Sequence, residues 1–480
     1  MASELETAVA VALRGRLTIA LDVLGHDDDG TVEELASRLA QVAARAEGED
    51  AGSVAWLAFT AFFGRFPTEV ELARFRRELL LQTEPIRALL VTGQTIDRRG
   101  PAALRDLKIV ADRPVVDVGH AATSDHATGI QRVIRQTIPH WVRRGVELVA
   151  WHADDRGWRE LDGTERARVG VPPEVHSAGA LVVPWRTTVI LPEVSSVDRA
   201  STLAALAAHS GSRVALIGYD LIPIVSAELV DAAESERMGQ FLAVVKSAAV
   251  VAGISESASS EFRGYAHALG AQGLTGPEVV TVPLAEEPVP ATGHERVEAD
   301  PPLILCVGSH EPRKNQSTVL AAAIRLHAEG VPFRLVFVGG GSRVRIGPFD
   351  LELERLRRDG VPVSAERLLD DAGLAALYDA ARCTVMISLH EGFGLPVVES
   401  LARGVPVLTS DHGSLAEVAQ AGGCVTVDAT DVEAVTAAFR ALVTDDELIA
   451  RLRAEAAARP TRTWRQYADE LWDALTGGGR

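Results

Sequence analysis

The chain has 480 residues, 47% of them hydrophobic and 24% charged, a composition that suits two or three ordinary globular cores. Its 48 basic against 66 acidic side chains leave a net charge of −18, which excludes general attraction to nucleic acid or anionic lipid while leaving room for a local basic cleft. Cys306, Cys383 and Cys424 form no C-x-x-C pair and sit in apolar runs, so small buried thiols are expected rather than a metal site or a disulfide framework.

The opening MASELETAVAVALRGR carries acids early and has no uninterrupted apolar region, a poor leader peptide. No run of about 18 apolar residues suggests a membrane span, so a cytoplasmic location with at most peripheral membrane contact is expected. Residues 1–105 read as helical, without strand alternation. Within Val54 to Leu80 an apolar helix ends at Gly64, and Pro67-Thr68 opens the next with Glu69 and Glu71 in its first turn. This helical accessory region is expected either to dock a protein partner or a second protomer, or to cap the body of the protein.

From Pro114 strands and helices alternate. Strands are expected at Val115–Val118, Val146–Trp151, Thr187–Leu191, Arg213–Ile217, Val250–Ile254 and Val279–Val282. After the first comes the loop GHAATSDHATG, then a helix with Ile130, Val133, Ile134 and Ile138 on one face, which Pro139 is expected to kink or end. Ligands of doubly wound sheets bind outside the carboxyl ends of the strands. Asp117, His120, Asp125, His126, Thr128, Gly129 and Arg132 are therefore cleft candidates. Tyr219-Asp220 follows a later strand, and Ser255 is placed to cap a helix. This α/β domain is set at 106–284. The proline-rich, aperiodic stretch 285–302 is read as a linker.

The second α/β domain is set at 303–458. A strand ends at Gly308, and Arg313-Lys314 stand at the start of the next helix, where cations oppose the helix dipole unless an anion is present. Such residues can neutralise a diphosphate. The next strand ends in Gly339-Gly340-Gly341, a close-approach loop at the same sheet edge. In Ser388 to Ser410 a strand runs into Glu391-Gly392-Phe393-Gly394-Leu395, and a short helix from Pro396 carries Glu399 before Gly404 stops it. Glycines there admit close backbone approach, and the helix start offers N–H groups to phosphate. Two carboxylates beside an anion site make sense as acceptors for hydroxyls flanking that phosphate. In Asp411-His412-Gly413, turn and cap chemistry outweighs a catalytic dyad. The segment 459–480 is set apart as a terminal helix with Trp464, Tyr467, Leu471 and Trp472 on one face.

Glu391-Gly-Phe-Gly-Leu-Pro-Val-Val-Glu399 resembles the E-x7-E motif of the retaining glycosyltransferases of family 4. The stretch Gly308 to Asn315 is similar to that family's G-x-x-x-x-R-K-N segment, with Ser309 where some members carry arginine. Gly218 to Pro223 is similar to its H-D-x-x-P segment, with Tyr219 in place of histidine. TGIQR resembles the family's first cleft loop, and GRFPTEVEL the small helical modules that accompany some bacterial members. The wording is closest to bacterial mannosyl- and rhamnosyltransferases of surface polysaccharides.

The resemblance implies the GT-B fold, two Rossmann-like doubly wound domains facing a cleft, with the terminal helix crossing back onto the first. It implies transfer of a hexose, mannose or rhamnose favoured, from a GDP-, dTDP- or UDP-linked donor to a glycan or lipid-linked acceptor. The implied roles are catalytic for Glu391 and Asp220, and donor-binding for Gly308, Arg313, Lys314, Gly339, Gly392, Phe393, Gly394, Leu395 and Glu399. Thr128, Gly129, Arg132 and Tyr219 are expected to line the cleft. No D-x-D stands at the phosphates, so neither metal nor cofactor is expected. The alternative is a non-catalytic GT-B partner subunit. A phosphorylase would consume inorganic phosphate or need a lysine-bound cofactor, for which the chain has no segment, and a nicotinamide oxidoreductase would need G-x-G-x-x-G after its first strand, which is absent.

Overall fold

Strands buried on both faces read as continuous apolar runs, and such runs build two sheets here. The computed structural model describes residues 2–48, 50–96, 100–124, 129–174, 179–287, 298–341, 343–367 and 369–477. Thr128, Asp125 and His126 lie outside the described residues, as does 288–297 of the expected linker.

The first sheet comprises β1 (Leu107–Val110), β2 (Val115–Asp117), β3 (Glu147–Trp151), β4 (Trp158–Glu160), β5 (Leu181–Pro184), β6 (Thr188–Leu191), β7 (Arg213–Gly218), β8 (Val250–Gly253) and β9 (Glu278–Thr281). Their order is β1-β5-β4-β3-β2-β6-β7-β8-β9, parallel except where β4 runs against β3 and β5. The second sheet holds β10 (Leu303–Val307), β11 (Arg334–Val338), β12 (Val363–Glu366), β13 (Ala381–Met386), β14 (Val407–Ser410) and β15 (Cys424–Val427). All are parallel, in the order β12-β11-β10-β13-β14-β15. Connections diverge to either side of β2 in the first sheet and of β10 in the second, so both switch-point crevices open where the expected site residues lie.

The structure departs from the sequence reading in four places. The first sheet begins at β1 rather than after Pro114, because Lys108 breaks the apolar pattern; its amine serves Glu147 at 2.6 Å and also Glu160. β4 and β5 are strands that the sequence reading did not expect. Helix Gly129–Val142 runs through Pro139, its last turn held by the Trp141 indole N–H on the Ala468 carbonyl at 2.9 Å. A helix, Arg343–Arg358, occupies the stretch between β11 and β12 where none was expected.

The helices Ala2–Val23, Val32–Arg45, Asp50–Phe63, Glu69–Leu81 and Ile86–Thr92 share one core with the first sheet: Leu17, Trp56, Phe59 and Phe75 cluster with Val182, Leu206 and Phe241. Phe66 lies 5.1 Å from Trp56 and 5.5 Å, edge-on, from Trp158 of β4. Thr68 and Glu71 close a capping box at the start of the fourth helix. On the other face of the sheet, Val116, Ile134 and Trp141 pack with Phe393, Val397 and Leu401 of the second domain. Trp464, Tyr467 and Leu471 of helix Trp464–Thr476 complete that cluster. No helix among the described residues is long and apolar enough to cross a membrane.

Candidate functional site

The site is built where the loops after β10 and β13 meet the loops after β2 and β7. After β10, Asn315 adopts a left-handed conformation (φ 54°), and its side-chain amide reaches the Ala429 carbonyl at 2.7 Å. That anchor fixes the turn Pro312–Lys314 and aims two cations at the next loop. Glu391 receives both: Arg313 Nη1 at 2.9 Å on one oxygen and Lys314 Nζ on the other. Burial pushes the Glu391 carboxyl up, and the Lys314 and Arg313 charges outweigh it and carry the group down to about 2. Arg313 Nε also bonds Glu311 at 2.7 Å, and Ser309 Oγ donates to the same carboxylate at 2.7 Å. Ser309 thus braces the counter-ion of a cation rather than facing an anion itself.

The expected donor-binding residues divide. Gly394 opens helix Leu395–Ala402 with φ 109°, and a Cβ there would meet Leu415 at 2.6 Å. Leu395 faces Gly129, whose added Cβ would lie 3.3 Å from it across the cleft. The Phe393 side chain is buried in the core and leaves only its backbone at the site. Gly308 lies against the Lys314 side chain. At Gly339 (φ 148°) a Cβ would stand 2.1 Å from the Gly308 carbonyl oxygen, so that glycine serves the packing of one loop on another. Glu399 lies apart from Glu391: Arg132 of the first domain grips one oxygen, and the Tyr378 hydroxyl donates to the other at 3.3 Å.

On the facing wall, burial lifts the Asp220 carboxyl, Arg313 opposes the lift, and the group settles at about 6. Tyr219 turns its hydroxyl away to the Pro192 carbonyl at 3.0 Å. Asp117, a cleft candidate by sequence, instead accepts from the indoles of Trp151 at 2.6 Å and Trp158 at 3.2 Å. A cavity of about 410 Å³ lies between the walls, lined by Ile130, Tyr219, Asp220, Ile222, Glu311 and Arg313 among others. Among the described residues no group of three or more His, Cys, Asp or Glu side chains is arranged to hold a metal ion. Cys306, Cys383 and Cys424 carry no disulfide, and burial pushes each thiol up to about 12.

Gly392 is where the walls touch. A Cβ there would come within 2.5 Å of the Tyr219 carbonyl oxygen, and Ser255 Oγ donates to the Gly392 carbonyl at 2.7 Å. Ser255 also caps its own helix, accepting from Ala258 N at 3.0 Å, as its place after β8 predicts. The change Gly392→Ala is expected to wedge the walls apart, lower stability by about 1–3 kcal/mol in chemical denaturation, and speed amide exchange at Tyr219–Ile222.

Sequence reasoning missed several residues that join the halves. Glu417 accepts from Glu256 N at 2.9 Å and Ser257 N at 2.6 Å, filling the start of the first domain's helix Glu256–Leu269 from the second domain. His390 and Glu261 meet at 2.7 Å. The signal available was His390 itself, adjoining Glu391; its partner lies in the other domain, where no spacing rule reaches.

Residues 293–459 match the family model described as glycosyl transferases group 1. The chain is 38% identical over 145 residues to O-antigen chain mannosyltransferase B of Escherichia coli, covering 30% of this chain and 37% of that one. It is 30% identical over 194 residues to the GDP-mannose-dependent alpha-(1-6)-phosphatidylinositol monomannoside mannosyltransferase of Mycolicibacterium smegmatis, covering 38% and 47%. The chain therefore spans less than half the length of these curated relatives. Anabaena Alr3699/HepE, solved in complex with UDP and glucose, superposes with a TM-score of 0.54 at 12% identity, covering 76% of this chain and 99% of that one. That likeness places the architecture among GT-B folds.

Proposed function

On the premise that residues 293–459 belong to the glycosyl transferases group 1 and that the fold is GT-B, we propose that the chain is a hexosyltransferase using a nucleotide-diphosphate sugar. The carrying observation is Glu391 held between Arg313 and Lys314 at a switch-point crevice, beside a glycine-rich helix start. Such a charge-balanced set accepts a diphosphate on its cations and sugar hydroxyls on its carboxylate.

In this reading the donor diphosphate sits on Lys314, Arg313 and the backbone N–H groups of the Gly392–Leu395 loop, and the ribose hydroxyls take the place of Arg132 on Glu399. Glu391 holds sugar hydroxyls and stabilises positive charge developing at the anomeric carbon. The bond from that carbon to the diphosphate oxygen breaks, and the bond to the acceptor oxygen forms on the same face. The acceptor proton passes to the departing diphosphate oxygen. This is the retaining course of family 4, in which the two cations stand where other transferases use a metal and no cofactor is needed. Mannose, the sugar in the names of several relatives, is the favoured hexose, with GDP as its carrier and a glycan or lipid-linked glycan as acceptor.

Thermal shift against GDP, UDP and dTDP tests the donor. GDP is expected to raise the unfolding temperature most, since a ligand bound only by the native state stabilises it. With the donor in hand, Lys314→Ala and Glu399→Ala are each expected to raise KM or lower kcat at least about tenfold, roughly 1.4 kcal/mol. Unchanged kinetics in both would discard the assignment.

A further inference from the structure

The E-x7-E segment is preceded by His390, whose imidazole leaves its own domain. Nε2 lies 2.7 Å from Glu261 Oε1 on helix Glu256–Leu269, and Nδ1 lies 2.8 Å from Ser226 Oγ beyond the turn Ile222–Val225. The other Glu261 oxygen accepts from Leu221 N at 2.5 Å, next to Asp220. One carboxylate therefore ties down the loop carrying Asp220 and, through the imidazole, the loop carrying Glu391. We propose that His390 is a positioning residue that couples these two loops, so that its protonation sets how tightly the cleft closes around the donor site. The coupling rests on the function proposed above only for the identity of the donor.

Both ring nitrogens keep hydrogen bonds in either protonation state: a neutral ring donates from Nε2 to Glu261 and accepts at Nδ1 from the Ser226 hydroxyl. What deprotonation removes is charge. The groups facing the ring are Glu261 from the helix, Asp220 from the turn after β7, Glu391 in its own loop, and Arg313, whose Nη1 approaches the His390 carbonyl at 3.4 Å. Glu256 and Glu417 stand across a neighbouring cavity of about 750 Å³ that the ring also lines. Carboxylates dominate this set, so a neutral ring leaves Glu261 uncompensated beside Asp220 and Glu391. The Glu261 hydrogen bond raises the imidazole above its ordinary value despite burial, and the nearby carboxylate charges add to it. The sign follows: closure from this pair is complete below about pH 6.5 and is lost as pH climbs through the raised value.

The test is amide exchange in the full chain between about pH 6 and 9, corrected for intrinsic rates, in peptides spanning 219–222 and 389–395. In the wild type both loops are expected to lose protection together, by about fivefold, as the ring deprotonates. The change His390→Gln keeps both bonds without the charge, and its protection should vary less than about twofold. In Glu261→Gln the loss should move to lower pH. GDP titrated by calorimetry should weaken over the same range in the wild type and stay level in His390→Gln. An unchanged pH profile in His390→Gln, or loops that loosen at different pH values, overturns the proposal. GDP that fails to bind at every pH, with the loops still loosening together, overturns the donor reading and supports the coupling. GDP that binds without coupled loops does the reverse.

Discussion

Replacing Glu391 by glutamine is expected to lower stability by about 3 kcal/mol at neutral pH, although glutamine has nearly the same shape. The carboxylate is the buried counter-ion of Arg313 and Lys314, and its removal leaves Lys314 without that partner and Arg313 with Glu311 alone. The size follows from its fall to about 2 from an ordinary value near 4.5. Because the folded value is depressed, this stability is fully present above about pH 4.5 and is lost as pH falls through about 2. Urea denaturation of wild type and Glu391→Gln should therefore give curves far apart at pH 7 that converge in acid. GDP should narrow the gap at pH 7, since its diphosphate supplies the missing negative charge. Turnover should fall by two orders of magnitude or more if the group also steadies charge at the sugar, about the loss seen when a preorganised electrostatic partner is removed. Equal stability at pH 7 would show that the two cations do not depend on Glu391.

Truncating Phe66 to alanine is expected to cost about 3–5 kcal/mol and to destabilise helices and sheet together. The ring is fully buried between Trp56 of the third helix and Trp158 of β4, and Phe66 N–H also bonds the Arg156 carbonyl at 2.9 Å. A helical module docked on a finished domain would unfold first and alone. A region that shares its core with β4 and β5 should leave with them. Circular dichroism at 222 nm and tryptophan fluorescence should therefore shift by the same amount in Phe66→Ala. Helical signal lost at a lower denaturant concentration than fluorescence would mark residues 1–105 as a separable unit.

Most of the alternating core was legible because parallel strands buried on both faces are unbroken apolar runs, as in Leu303–Val307, whereas Arg382 and Thr384 disguised the start of Ala381–Met386. The chemistry of the second domain was legible too, since Arg313-Lys314 and Glu391 stand out by charge and by the glycines around them. Hidden features were those defined by a partner far away in the chain. Lys108 disguised β1 because its purpose is Glu147 and Glu160. Phe393 and Gly339 sit in motif positions yet serve packing, which neighbours decide and local pattern does not. The Arg132–Glu399 and His390–Glu261 pairs cross between domains, and only the folded sheets bring their members together.

Helix Trp464–Thr476 lies on the first domain: Arg213 reaches the Leu475 carbonyl, and Tyr467 and Leu471 are wholly enclosed beside Trp141. A ribosome delivers the first domain's strands long before it delivers these side chains. Through synthesis of the entire second domain, Ile134, Trp141 and Ile217 wait with one wall of their core missing, an apolar surface open to water and to chaperones. Native closure of the first domain then waits until the second has been made, and the two halves mature as one.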